Sequence, residues 1–236
     1  MTRSYVAVDL ETTGLNPKYS RILEIGAVKV IDGQIKETYK TFVKPDMRIP
    51  FKIQELTGIT NEMADNGKDG EKAVEELIDF CEDYPLLGHN LIFDYSFLKK
   101  YAVNQKLEFK KYGVDTLKIA RKTLPDVKSR SLEYLCEFFE IEHQDKHRAY
   151  CDAQATVTLY ELLQSRFGKQ QPDIFCPFEL IYQVKRQSPI TPRQKVYLND
   201  LIKYHKIDFE VDISSLTKSE ASRYIDKFIL NYGRIL

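Results

Sequence analysis

Two acidic residues near the start of the chain, Asp9 and Glu11, are separated by one residue at the end of a strand-like segment. Side chains alternate across a β-strand, so both carboxylates point to one side while Leu10 points into the core. Carboxylates this close repel each other and resist burial, and a bound cation removes that conflict. Oxygen ligands suit Mg²⁺ or Mn²⁺. Taken alone the pair is a weak signal, because residues 12–14 also favour a simple turn after the strand.

Three further residues lie at positions where α/β folds form sites. Asp94 lies where a short strand gives way to a helix, and Asp152 lies at the start of a helix predicted over residues 151–167. His147 precedes Asp152 by five residues, and an imidazole with a pKa near ~6.5 can accept a proton at neutral pH. Each carboxylate could instead cap a helix, and His147 could be an ordinary surface residue. Their occurrence together with the first acidic pair favours a catalytic centre.

The elements that must position these residues follow a mixed α/β pattern. Strands are predicted over residues 4–10, 21–31 and 34–43, with short strands near 85–89 and 112–114. Helices are predicted around residues 74–81, 94–103, 116–124, 131–139 and 151–167. Asp32-Gly33 is a hairpin turn signal, so the first long strands should pair antiparallel. This order predicts a mixed five-stranded sheet flanked by helices, with Asp115 and Ser131 as helix caps.

The chain divides into three predicted parts. Residues 1–167 contain the α/β pattern and the acidic residues. Residues 168–190 contain several prolines, yet they are too apolar to lie in water, so they should pack on the first domain as a connector. Residues 191–236 predict a small helical module with N-caps at Thr191 and Thr217. Three roles stay open for the module: nucleic-acid contact, docking of a partner, or a structural hairpin.

Composition limits the function classes. The 236 residues hold 35 Lys+Arg and 35 Asp+Glu, so there is no overall basic field, and a nucleic-acid enzyme must gather positive charge locally or through metal ions. Ten Lys/Arg against three acids fall within residues 95–130, a basic run that is either a substrate-facing patch or a set of solvated helix faces.

Cysteine spacing and hydropathy indicate the compartment. The four cysteines have neither zinc-site nor disulfide spacing, which is typical of buried thiols in a reducing compartment. No signal peptide and no apolar run of ~18 residues is evident, so we expect a cytoplasmic protein without a membrane partner.

The motifs resemble those of the DEDDh exonucleases, the family of the epsilon proofreading subunit of bacterial DNA polymerase III. The similar segments are VDLETTGL (8–15), RILEIGA (21–27), LTGIT (56–60), NLIFD (90–94), VDTL (114–117) and HRAYCDA (147–153). The resemblance covers roughly residues 4–167. A sister branch of the family has tyrosine four residues before the last aspartate, where this chain has Arg148, so His147 places the chain in the histidine branch.

The resemblance implies an RNase H-like fold and a metal-dependent 3′→5′ exonuclease that releases nucleoside monophosphates. It implies two divalent metal ions, Mg²⁺ or Mn²⁺, bound by Asp9, Glu11, Asp94 and Asp152. The implied catalytic residues are His147 as general base, with Asp9, Glu11, Asp94 and Asp152. Contacts to the terminal nucleotide are implied for Glu11, Thr12, Leu56 and Thr57, although Leu56 could equally be a core residue.

Three functions stay open on these residues. The first is a DNA exonuclease of proofreading or repair type, acting on a single-stranded 3′ end. The second is an RNA-trimming exonuclease, which would differ in how the site treats the 2′-hydroxyl. The third is a non-catalytic nucleic-acid-binding module. The presence of all five catalytic residue types argues against this third function. An RNase H-type endonuclease is disfavoured because His147 would have no role there. A DNA polymerase or another replication or repair protein is a candidate partner, but residues 191–236 do not resemble the polymerase-binding tail of an epsilon subunit.

Overall fold

The structure, a computed structural model, describes residues 2–143, 145–184 and 188–235. The chain forms two compact units. The first comprises Met1–Pro45 and Ile49–Val184, and the second comprises Asp46–Arg48 and Lys185–Leu236. The first unit contains the sheet and all of the predicted site residues, and the second is helical.

Within the described residues, the first unit has a seven-stranded mixed sheet in the order β4-β3-β2-β1-β5-β6-β7. The strands are β1 (Tyr5–Thr12), β2 (Ile22–Ile31), β3 (Gln34–Lys44), β4 (Lys68–Asp69), β5 (Leu86–Gly88), β6 (Tyr112–Asp115) and β7 (Phe178–Glu179). Strands β1, β2 and β3 pair antiparallel, whereas β5 pairs parallel with β1 and β6. The mixed sheet is confirmed, but the expected five strands were too few. Strands β4 and β7 have two residues each, too short to leave an alternating pattern in the sequence.

Helices flank the strands along the chain. They are α1 (Phe51–Thr57), α2 (Asn61–Asp65), α3 (Gly70–Cys81), α4 (Ile92–Gln105), α5 (Thr116–Thr123), α6 (Leu132–Phe138) and α7 (Ala149–Phe167) in the first unit, and α8 (Pro192–His205) and α9 (Lys218–Tyr232) in the second. The sequence did not predict α1 and α2, which at seven and five residues show little helical periodicity. Helix α7 starts two residues earlier than predicted.

The predicted helix caps are confirmed. The Asp115 carboxylate accepts hydrogen bonds from the amides of Leu117 and Lys118 at 2.9 and 3.3 Å. The Ser131 hydroxyl accepts from the amide of Tyr134 at 3.3 Å. Each cap satisfies a helix-terminal N–H that would otherwise lack a partner, and so fixes where α5 and α6 begin.

Side-chain alternation in β1 assigns each of its residues to one of two cores. Val6, Val8 and Leu10 are buried against the side covered by α3 and α4. Tyr5 and Ala7 are buried against the side covered by α5, α6 and α7. Asp9 and Glu11 continue the Tyr5–Ala7 series, so they point to the α7 side of the sheet, as the alternation in the sequence predicts.

Residues 168–184 contribute to these same cores. Phe175, in the 3₁₀ turn Pro172–Phe175, is fully buried beside α7, and Leu180 is 4% exposed in the core on the other side of the sheet. Strand β7 also pairs antiparallel with β6. This segment therefore stabilises the first unit through apolar burial as well as backbone hydrogen bonds.

The second unit has a small core of its own. Leu198 and Leu201 of α8 pack with Leu216, Ala221 and Phe228. Both helices begin with capping boxes, Thr191 with Gln194 and Thr217 with Glu220, which confirms the two predicted N-caps. Among the described residues, no helix combines the length and hydropathy needed to cross a bilayer.

Candidate active site

The end of β1 carries Asp9 and Glu11, whose side chains are partly buried. Across the antiparallel ladder, Asp9 lies opposite Gly26 and Glu11 lies opposite Glu24. Three carboxylates therefore lie on one face of two neighbouring strands. Like charges opposite each other in a sheet are destabilising, so this arrangement needs positive charge from elsewhere.

Asp94 is 3% exposed and lies in the first turn of α4. Its Oδ1 accepts a hydrogen bond from the Leu10 amide at 3.0 Å, which attaches the start of α4 to the end of β1. Strand β5 pairs with β1 only at Val6 and Ala7, so the Leu10 amide lies beyond that ladder. The N-cap of α4 is Leu91, so Asp94 is not the helix cap that the sequence left as an alternative.

Asp152 is likewise not a cap. Helix α7 has Arg148 as its N-cap, which places Asp152 at the fourth position of the helix, 8% exposed. The Asp152 carboxylate contacts the Nε2 atom of His143 through Oδ1, and one of its oxygens lies within 4.8 Å of a ring nitrogen of His147. One loop and one helix therefore supply an acid and two imidazoles to the same place.

His147 lies beside the acidic residues. Its ring nitrogen, a Glu11 carboxylate oxygen and an Asp152 carboxylate oxygen all lie within 4.8 Å of one another. The residue has a φ of 60°, a left-handed conformation that side chains other than glycine rarely adopt. The structure thus brings together two of the predicted metal ligands and the predicted base.

The pKa values of the first acidic pair are raised. Burial is the main reason that the Asp9 pKa lies well above its ordinary value, and the nearby charges of Asp94, Asp152 and Glu11 raise it further. Burial also raises the pKa of Glu11 to about 8, with added repulsion from Asp152, while the Arg148 guanidinium acts in the opposite direction. Their mutual repulsion shows that these carboxylates form one electrostatic cluster.

The pKa values of Asp94 and Asp152 are also raised, but hydrogen bonds partly offset the rise. Burial raises the pKa of Asp94, and the hydrogen bond from the Leu10 amide partly offsets that rise. Burial raises the pKa of Asp152, and the contact with His143 partly offsets it. Buried carboxylates that repel one another and offer oxygen ligands fit divalent cations, which would stabilise their charged forms. The cluster is therefore a candidate metal site.

The predicted nucleotide-binding residues differ in how accessible they are. Thr12 is 8% exposed, and its hydroxyl donates to the carbonyl of Gly14 at 2.9 Å. The Thr57 hydroxyl donates to the carbonyl of Ile53 at 2.9 Å, a hydrogen bond that stabilises the C-terminal end of α1. Leu56 is 53% exposed and is not a core residue, which leaves its apolar side chain available for contact with a ligand.

Three of the ten cations in the basic run, residues 95–130, bind backbone carbonyls. Lys99 donates to the carbonyl of Phe109 at 2.7 Å, and Arg130 donates to the carbonyl of Leu124 at 2.8 Å. Lys111 binds backbone carbonyls at the end of α3. These three cations stabilise loops and a helix end, so the run is not a uniform substrate-facing patch.

Sequence reasoning missed three residues that contact the site. His143 binds Asp152, and Glu24 binds Arg148 with Oε1–Nη2 at 2.9 Å. Glu24 left a signal, since it is an acid within a strand whose neighbours Leu23 and Ile25 are apolar and fully buried. A charge that interrupts a buried strand predicts a specific partner, although it does not say which one.

The exonuclease family model RNase_T matches residues 6–160. The chain belongs to this exonuclease family. The DNA polymerase III subunit epsilon of Aquifex aeolicus is 35% identical over 158 residues, which cover 66% of this chain and 78% of that protein. The PolC-type DNA polymerase III of Clostridium perfringens is 36% identical over 170 residues, 72% of this chain but only 12% of that protein's length.

Solved structures agree on the fold. Escherichia coli exonuclease I in complex with a dA16 oligonucleotide aligns with a TM-score of 0.63 and 22% identity, covering 74% of this chain and 42% of exonuclease I. The fold is thus the RNase H-like exonuclease fold that the motifs led us to expect.

Proposed function

We propose that this exonuclease hydrolyses phosphodiester bonds from the 3′ end of single-stranded DNA and releases nucleoside monophosphates. The observation that carries the proposal is the cluster of partly buried carboxylates from β1 and buried carboxylates from α4 and α7, with His147 beside Glu11 and Asp152. The residues that supply it are the ones by which the chain resembles DEDDh exonucleases. Phosphodiester hydrolysis requires stabilisation of negative charge on the phosphate together with a base for the attacking water.

Each residue then has a distinct role. Asp9, Glu11, Asp94 and Asp152 would hold two Mg²⁺ or Mn²⁺ ions, the hard cations that carboxylate oxygens prefer. Bound there, the cations would supply charge stabilisation for the phosphate and activation of water. His147 removes a proton from the attacking water, a task that suits an imidazole at neutral pH.

DNA is the proposed substrate because relatives above 30% identity are a DNA polymerase III epsilon subunit and a PolC-type polymerase. A DNA polymerase or another replication protein is, on the same ground, a proposed partner. RNA trimming is the second candidate, since discrimination against a 2′-hydroxyl depends on contacts around the terminal sugar. The exposed Leu56 would contact the terminal nucleotide from α1, with Thr12 and Thr57 shaping the surrounding backbone.

Digestion of a 5′-labelled single-stranded DNA oligomer and its RNA counterpart tests the proposal. Each polymer is incubated with Mg²⁺, with Mn²⁺ and with EDTA. We expect a ladder that shortens from the 3′ end, requires a metal ion, and forms faster on DNA. Faster digestion of RNA would replace the proposed substrate. Failure to degrade either polymer with any metal would favour the non-catalytic binding module.

A further inference from the structure

Helix α7, which carries Asp152, begins without a capping side chain of its own. Its N-cap residue is Arg148, whose side chain makes no hydrogen bond to the helix amides. Ala149, the first helical residue, is fully buried, so its N–H cannot be satisfied by water. A buried amide without an acceptor is costly, and the helix therefore needs an acceptor from another element.

Glu24 of β2 supplies that acceptor. Its Oε2 accepts from the Ala149 amide at 3.1 Å and from Arg148 Nε at 3.1 Å, and its Oε1 accepts from Arg148 Nη2 at 2.9 Å. Paired hydrogen bonds between a guanidinium and a carboxylate fix direction as well as distance. With Glu24 only 4% exposed, a single shielded carboxylate holds both the cap residue and the first amide of α7.

Gly26 determines how closely the helix approaches the same strand. It lies two residues from Glu24 and therefore on the same face of β2. A Cβ atom at Gly26 would lie 2.2 Å from the backbone carbon of Ala149 and the backbone nitrogen of Tyr150. The first turn of α7 thus lies directly on β2, with its polar end bound by Glu24.

The attachment of α7 to Glu24 also fixes His147, the residue before Arg148. His147 has a left-handed backbone conformation, which persists only where the surrounding structure enforces it. On its C-terminal side, Arg148 is held by Glu24. The Asp152 carboxylate, one turn into α7, has an oxygen within 4.8 Å of a His147 ring nitrogen. The imidazole is thereby kept beside Glu11 and Asp152.

We propose that Glu24 and Arg148 are positioning residues that hold His147 in the place where it removes the proton, a role that rests on the proposed exonuclease activity. Glu24 acts through Arg148 and Ala149 and does not touch the reacting atoms. Arg148 has a second effect, because its positive charge offsets the repulsion between Glu24 and Glu11, which are opposite each other in the ladder.

Steady-state kinetics of Glu24→Gln on the DNA oligomer is the first test. The amide keeps the shape of the side chain but loses the charged pair, so we expect kcat to fall about 10- to 100-fold through misplacement of the base. KM should change little, since the proposed role gives neither Glu24 nor Arg148 a contact with the substrate. The double variant E24Q/R148Q should be no slower than the slower single variant, because each single change already removes the same Glu24–Arg148 ion pair.

The matched control is Glu133→Gln. Glu133 pairs with Lys146, the residue before His147, at 2.6 Å, but both side chains are about half exposed. Exposed ion pairs contribute little, so E133Q should keep the kcat of the wild-type protein. Equal losses in E24Q and E133Q would mean that any charge change near the loop slows the enzyme, which would overturn the specific role of Glu24.

Amide hydrogen exchange, measured by NMR without metal or substrate, is the second test. In E24Q we expect the Ala149 amide to exchange at least about tenfold faster, while amides in the centre of β1 keep their protection. A low kcat with unchanged exchange at Ala149 would overturn positioning as the mechanism. Wild-type kcat in E24Q would overturn the positioning role alone, whereas an inactive wild-type protein would overturn the proposed function and the role with it.

Discussion

At the scale of single residues, the site is defined by carboxylates that the fold places too close together for their own stability. The hydrogen bond from the Leu10 amide holds Asp94 beside β1, and burial raises the pKa of both Asp9 and Asp94. Removing one acid should therefore relieve repulsion in the metal-free protein while it removes a metal ligand. Activity and stability should respond in opposite directions.

Asp9→Asn tests this separation. We expect hydrolysis to fall by about 10³-fold, because the amide is a poor ligand and no longer helps to neutralise a cation. The Tm of the metal-free protein should rise, because one of the repelling charges is removed. The control is Asp32→Asn, an exposed turn residue with a φ of 52° that asparagine also adopts, and it should keep full activity. Retention of most activity in D9N would remove Asp9 from the metal site.

The raised pKa of Glu11 predicts how metal-free stability depends on pH. The group has a pKa of about 8 in the folded protein against 4.5 in the unfolded chain. Between these values the folded state binds the extra proton, so the free energy of unfolding falls as pH rises from about 4.5 to about 8. In Glu11→Gln this part of the pH dependence should disappear. The control is Glu55→Gln, a change at an exposed residue, which should keep it.

Thermal melting with and without Mn²⁺ at pH 5.5 and pH 8 measures the effect. In the wild-type protein, added metal should raise the Tm more at pH 8, because the ions bind the ionised carboxylates and compete with protons at lower pH. An equal rise at both values would contradict the assignment of the raised pKa to the metal ligands.

At the scale of elements, the sequence predicts what depends on local pattern and misses what depends on distant contacts. The alternation in β1 and the cap at Asp115 could be read directly, and they place the acidic pair and α5 correctly. The attachment of α7 to Glu24 joins residues more than 120 positions apart, so no local pattern reports it. The short helices and edge strands were missed for the opposite reason, since they have too few residues to form a pattern.

Gly26→Ala tests the contact between α7 and β2. The added methyl group would meet the backbone at Ala149 rather than a movable side chain, so we expect a loss of ~3 kcal/mol or more in stability, together with reduced activity. Gly58→Ala is the control, because its Cβ would have open space and only its φ of 69° is unfavourable. That change should cost ~1 kcal/mol. Chemical denaturation of both variants gives the comparison, and equal losses would contradict the close approach at Gly26.

At the scale of the whole molecule, different segments of the chain supply the hydrophobic cores of the two units. The two large cores and one smaller core of the first unit are built from residues between Tyr5 and Leu180, and the second unit has a core of its own. Composition and prolines alone predicted a connector over residues 168–190, but they could not show how far along it the apolar contacts continue. In the structure, Phe175 and Leu180 are buried and β7 is paired, whereas the first unit ends at Val184.

Two truncations make this difference measurable. A chain that ends at Val184 keeps every buried residue of the first unit's cores, so we expect it to melt cooperatively and to digest the DNA oligomer. A chain that ends at Phe167 loses the buried side chains of Phe175 and Leu180, each worth ~2–5 kcal/mol, and should be unfolded or far less stable. Equal melting temperatures would show that residues 168–184 add nothing to the first unit. An unfolded 1–184 chain would instead mean that the exonuclease unit depends on the second unit for its stability.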